Sequence, residues 1–216
     1  MAETYTVKQG DHLARIAEEH GFTDYKTIWN DPNNADLKQK RQNPNVLFPG
    51  DQVYIPDKEM REESRPTEKH HKFQVSKQTL QLRLTLEDLY EKPIANTACE
   101  LIIDQDLHKV TTDGDGKLQL EIPATAQQGF LTIKGPETPF QDETIPIQIG
   151  HLDPVEELSG QKARLNNLGY CAGDVAGKAD DDFESAVEEF QCDNALTVDG
   201  ICGPATQSKL KKVHGC

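Results

Sequence analysis

Few side chains in this 216-residue chain are typed and spaced for chemistry. They are four cysteines in the last 46 residues (Cys171, Cys192, Cys202, Cys216), an isolated Cys99, His70-His71, His108 and the run Asp113-Gly114-Asp115-Gly116. Covalent or hydrolytic catalysis would need a Cys–His couple, a pair of carboxylates across a scissile bond, or a metal-bound water. The four late cysteines lack the CxxC spacing of a zinc site. They allow three full pairings, and nothing in their spacing chooses among them. Two readings stand: disulfides formed after export, or reduced thiols in a small helical core. His70-His71 has no third ligand nearby and reads as a solvated pair. The Asp-Gly run lacks the twelve-position ligand set and closing Glu of a calcium loop, so it reads as a hairpin turn. HExxH is absent, and Cys99 stands just before an alternating strand, where a core residue belongs. No catalytic residue, metal or cofactor is expected.

The elements that would position any site are set by composition and pattern. Acidic residues number 37 against 23 basic ones, a net charge of −14, and no segment is a basic patch. A duplex-binding surface needs clustered Lys and Arg, so nucleic acid is an unsuitable partner. An anionic membrane surface is unsuitable for the same reason. No apolar run approaches the ~20 residues that span a bilayer. The opening MAETYTVKQGD lacks a basic start, an apolar core and a small-residue cleavage site. Synthesis in the cytoplasm without a Sec leader is therefore expected, so any action outside it would need another route.

Three patterned segments follow one another. In 1–57, Tyr5 and Val7 alternate as in a strand, Gly10 breaks it, and Asp11 can cap a helix burying Leu13, Ile16 and Ala17. Gly21 sits at a C-cap position, Ile28 and Trp29 mark a second helix, and Val53 and Ile55 a last strand, giving the order βααβ. Residues 58–72 are nearly all charged or polar and read as a linker. In 73–150 period-two runs recur at Leu80/Leu82/Leu84/Leu86, Leu101/Ile103, Leu118/Leu120/Ile122, Leu131/Ile133 and Ile145/Ile147/Ile149. Turn residues between them, Gly135-Pro136 included, predict a small all-β sandwich. In 151–216, Val155, Leu158, Leu165 and Leu168 mark a helix interrupted by Gly160. Phe183, Ala186, Val187 and Phe190 mark a second, capped by Asp180, Asp181 and Asp182, and Pro204 opens a third. The expected class is multidomain α+β, ending in a three-helix domain.

The opening Tyr5-Thr6-Val7, Gly10-Asp11-His12-Leu13 and Ile16-Ala17, with the closing run from Asn45 to Pro56, resembles a LysM domain. That resemblance implies a shallow groove for N-acetylglucosamine-containing glycan. Gly10, Asp11, His12 and Leu13 would form one wall, and Asn45, Val46, Leu47, Phe48 and Pro49 the other. His12 stands where the family carries Ser or Thr. The stretch 31–43 is longer than the family's connection and borders the groove.

Pro93-Ile94-Ala95-Asn96, then Thr111-Thr112-Asp113-Gly114 and Ile122-Pro123, resembles a transthyretin-like or carboxypeptidase-regulatory-like sandwich. The run from Gln161 to Tyr170, with Ala186-Val187, Phe190-Gln191 and the run from Leu196 to Thr206, resembles a three-helix peptidoglycan-binding domain. There the resemblance implies wall-facing positions at Asn167, Gly169, Tyr170, Asp199, Gly200 and Gly203. A turn of that family is replaced by residues 175–180.

Taken as an architecture, the three segments resemble proteins associated with type VI secretion spikes and other contractile injection systems. The resemblance implies a non-catalytic accessory that holds peptidoglycan, with spike or effector proteins as further partners. The alternatives are an adaptor that docks spike and effector without glycan, and a wall-active toxin with an unrecognised site.

Overall fold

Apolar spacing in the sequence sorts the chain into three hydrophobic clusters, and a computed structural model shows what encloses each of them. It describes residues 2–58, 64–72, 78–88, 90, 92–134 and 143–216. The Gly135-Pro136 turn and parts of the 58–72 linker and of the 73–150 segment lie outside the described residues.

The first cluster is closed by strands β1 (Glu3–Thr6) and β2 (Gln52–Ile55), paired antiparallel with Tyr5 opposite Val53. Between them run helices α1 (Leu13–Glu19) and α2 (Lys26–Trp29), a 3₁₀ turn (Pro32–Asn34) and helix α3 (Ala35–Arg41). Leu13, Ile16 and Ala17 fall on one face of α1 and meet Ile28, Trp29, Leu37, Leu47 and Val53. The long connection thus forms a third helix, beyond the two in the expected βααβ order. Its anchor is Asn34, whose amide donates to Ile28 O (2.8 Å) and Tyr54 O (2.7 Å) and whose carbonyl accepts from Tyr54 N. A buried side-chain amide that satisfies three backbone groups can replace a stretch of ladder. The cap of α1 also differs from expectation: His12 Nδ1 accepts from Arg15 N, while Asp11 closes the preceding turn through Lys8 N and the Tyr5 hydroxyl.

The middle cluster lies between two sheets. One pairs β3 (Thr79–Thr85) with β6 (Lys117–Pro123); the other runs in the order β5 (Asp106–Thr111), β4 (Ala98–Ile103), β7 (Gln128–Ile133), β8 (Thr144–Gln148). Alternation places Leu101, Ile103, Leu131 and Ile133 inward from the larger sheet, against Leu118 and Ile122 of the smaller. The Asp113 turn is not a hairpin, because β5 and β6 belong to different sheets. Asp113 accepts from the amides of Asp115 and Lys117, so the chain turns the corner between sheets there. Cys99 is buried, as a core residue should be, and burial pushes its thiol up.

The third cluster holds α4 (Leu158–Asn167), α5 (Asp181–Asp193) and α6 (Pro204–His214). Asp180 caps α5 by accepting from Phe183 N at 3.1 Å, and Pro204 occupies the first turn of α6. Gly160 does not interrupt α4, and Val155 precedes that helix rather than lying within it. The reason for glycine is proximity: a Cβ at 160 would overlap the Pro154 carbonyl oxygen and stand 2.5 Å from Asp153 O. Arg164, 1% exposed, donates to Asp153 O and Gly160 O at 2.7 Å each and holds this crossing shut.

Candidate functional site

The first candidate surface depends on two loops, 8–12 before α1 and 43–51 before β2. They are stitched together directly, since Leu13 N donates to Pro44 O at 3.0 Å. Loop 43–51 is also fixed internally and to α3 through Asp51, which accepts from Phe48 N (3.0 Å) and from Arg41 Nε (2.6 Å) and Nη2 (3.0 Å). Burial alone would raise the Asp51 carboxyl, but the hydrogen bonds from Arg41, Phe48 N and Lys40 hold it below its ordinary value. The Arg41 guanidinium also lies 5.4 Å from the Phe48 ring centroid. Helix α3 thereby contributes a buried charged side chain that supports loop 43–51, a residue absent from the sequence-derived list.

Of the nine expected groove residues, Gly10, Asp11, His12, Leu13, Val46 and Leu47 are buried. Phe48 and Pro49 are half-buried, and Asn45 is exposed. Leu13 and Leu47 belong to the core itself. Gly10 and His12 are covered from outside the module, by the chain leaving β8. A Cβ at Gly10 would meet His151 Nε2 at 3.0 Å, and one at Gly150 would stand 2.5 Å from Gly10 O and 3.1 Å from His12 Cδ2. Farther along, Gln9 Nε2 reaches Asp153 Oδ1 at 3.5 Å and Arg41 Nη1 lies 4.0 Å from Glu157. His12 is 2% exposed, its Nε2 has no hydrogen-bond partner, and burial with the nearby Arg15 lowers its pKa to about 4.

The second candidate surface splits in two. Asn167, Gly169 and Tyr170 end α4: Asn167 Nδ2 lies 3.1 Å from His214 Nε2 in the last turn of α6, and the Tyr170 hydroxyl donates to Asp193 at 3.0 Å. Asp199, Gly200 and Gly203 instead precede the first turn of α6. With 11 residues at 1.5 Å each, α6 sets Asn167 roughly 16 Å from Gly203, whereas Tyr170, bonded to Asp193, lies beside the end of α5 that carries Gln191. The second group is organised by Gln191, 1% exposed. Its carbonyl accepts from Asp199 N and Gly200 N, and its amide donates to Asp199 Oδ1, Ile201 O and Thr206 Oγ1. Asp199 therefore shapes the loop. The exposed apolar side chains there are Val198 and Ile201, 53% and 66% accessible, which lie inside the 196–206 run but outside the expected wall-facing set. Thr197 and Asp199 are exposed beside them.

The replaced turn, residues 175–180, is closed by Lys162, whose fully buried stem brings Nζ to 3.3 Å from Asp180. All five cysteines carry free thiols; Cys171, Cys192 and Cys216 are exposed, and burial pushes Cys202 up to about 11. No group of three His, Cys, Asp or Glu side chains suited to a metal occurs among the described residues. No described helix is long and apolar enough to cross a membrane.

Comparison with known families places binding modules at both ends. Residues 5–38 match the LysM domain, and residues 156–210 match a putative peptidoglycan binding domain. Both are binding domains rather than catalytic ones, and together they support peptidoglycan binding and action at the cell wall. The LysM match takes in residues 10–13 and stops short of residues 45–49. No curated protein matches the chain.

Proposed function

We propose that this protein is a non-catalytic peptidoglycan-binding accessory that targets or anchors a component of a secretion or contractile-injection apparatus at the wall. The observation that carries the reading is the pair of wall-binding modules at opposite ends of one chain. Tethering raises the effective concentration of the second module once the first is bound, so even weak modules give useful retention. The secretion role rests on the resemblance of the whole architecture to type VI-associated proteins. Retention on insoluble peptidoglycan tests the binding: folded full-length protein should pellet with walls and be released by soluble wall fragments. Folded protein that stays in the supernatant would sink the reading.

A second reading is an adaptor that docks spike and effector proteins without glycan. It is favoured by an apolar row across the outer face of the larger sheet, where Leu107, Ile102, Phe130 and Pro146 stand in register. Leu107 is 54% exposed, Ile102 39% and Phe130 38%. Co-purification with a spike protein, lost on Phe130→Asp and insensitive to wall material, would favour this reading over the first.

A further inference from the structure

We infer that residues 150–153 are a strap that closes the first module's groove, so that wall glycan and strap compete for the same face of His12. The inference rests on the reading of that groove as a glycan site.

The strap's fit is close at its base and loose beyond it. Gly150 adopts φ +80 and lies where a Cβ would press on Gly10 O and His12, and the His151 ring covers Gly10. The outer contacts to the first module are weak by comparison, a 3.5 Å approach of Gln9 to Asp153 and a 4.0 Å approach of Arg41 to a half-buried Glu157, while Asp153 itself is held to the third module by Ser159 (2.6 Å) and Arg164 (2.7 Å). Partly solvated contacts as long as the first two contribute little to stability. Closure also leaves a defect. His12 Nδ1 is occupied as acceptor for Arg15 N, so a neutral ring carries its proton on Nε2, and that donor is buried without a partner. An unmade hydrogen bond at a buried donor opposes burial. Lifting the strap would expose Nε2–H at the groove, where an N-acetyl carbonyl can accept it and the acetyl methyl can lie on the ring. The closed state thus holds back a donor that a ligand can satisfy, and binding shifts the population toward the open state.

The competition is tested in the full chain with a tetramer of N-acetylglucosamine as probe, by calorimetric titration. The variants are Gly150→Val, which cannot seat against Gly10 O, and the milder His151→Gly, which uncovers Gly10 without strain. Each is first checked for a wild-type melt. At least tenfold tighter binding in either folded variant is expected. Equal affinity in wild type and variants would overturn the strap, and so would no binding in any of them. A second measurement uses the unaltered chain. At millimolar tetramer the His12 Nε2–H and His151 ring resonances should both shift; an unmoved His12 resonance overturns the proposal. Pelleting of the same proteins with insoluble peptidoglycan reads the proposed function separately, because the last module reports there whatever the groove does.

Discussion

The Arg41 guanidinium grips the Asp51 carboxylate through two hydrogen bonds, Nε to Oδ2 at 2.6 Å and Nη2 to Oδ1 at 3.0 Å, with both side chains 3% exposed. The pair joins the last turn of α3 to the 43–51 loop before β2. The inserted helix is therefore built into the first module rather than looped out of it.

Arg41→Ala should destabilise the first module by about 3 kcal/mol, because it strands a buried carboxylate. Lys40→Ala removes a partner that is 62% exposed and should change stability by less than about 0.5 kcal/mol. Trp29, the one tryptophan in the chain and part of that core, reports both in urea unfolding by fluorescence. Equal effects of the two variants would show that the Arg41 pair is not structural.

Acid should loosen the first module before carboxylate titration begins. His12 has a folded pKa of about 4, below the ordinary 6.5, so the unfolded chain binds its proton more readily. Its contribution is fully present above pH 6.5 and is lost as pH falls toward 4, amounting to about 3 kcal/mol at about 1.4 kcal/mol per unit. His12→Asn keeps a capping acceptor and removes the titration. Melts followed at Trp29 should therefore be flatter between pH 6.5 and 4 in the variant; an unchanged slope would rule out His12 as the source.

Gly160→Ala inverts the usual helix preference. Alanine in a helix interior is normally better than glycine by about 1 kcal/mol. Here its methyl would overlap backbone oxygen at Pro154, and backbone does not move aside as a flexible side chain does. The variant should lower the melting temperature of the third module, which calorimetry on the full chain would register as a shift of one transition.

Gln191→Ala should release the loop before α6. Five hydrogen bonds converge on this one amide, and at about 1 kcal/mol net for each neutral bond, a loss of about 3 kcal/mol or more is expected. Hydrogen exchange at Asp199 and Gly200 should rise, and retention on peptidoglycan should fall with it. Ile201→Ser tests contact instead: the fold should be preserved while retention drops.

Thiol titration of the native chain should give three fast equivalents, from Cys171, Cys192 and Cys216, with Cys99 and Cys202 reacting after denaturation. Fewer than three fast thiols in protein recovered from outside the cell, restored by reductant, would point to disulfides after export.

Much of the architecture was legible because it is local. The period of α5, with Phe183, Ala186, Val187 and Phe190 inward and Asp180 at its cap, needs only nearby residues to be read. The strands at Leu101/Ile103 and Leu131/Ile133 are read the same way, from alternation. The cap of α1 falls on His12 rather than Asp11, although both offer an acceptor, because Tyr5 engages Asp11 from the adjacent strand. The Asp113 turn carries turn chemistry in either setting; whether its flanking strands pair with each other is a long-range question.

By itself the sequence determined the two end modules, the alternating strands between them and the want of a recognisable catalytic set, because period, caps and turn residues act over a few positions. Only the tertiary structure decided the state of the surfaces those modules present. It brought Gly150 onto His12 across more than a hundred residues, drove Arg41 against Asp51, and set Asn167 and Asp199 at opposite ends of α6. Such contacts depend on how rigid units pack, and packing follows from shape and long-range chain closure, which no local spacing records.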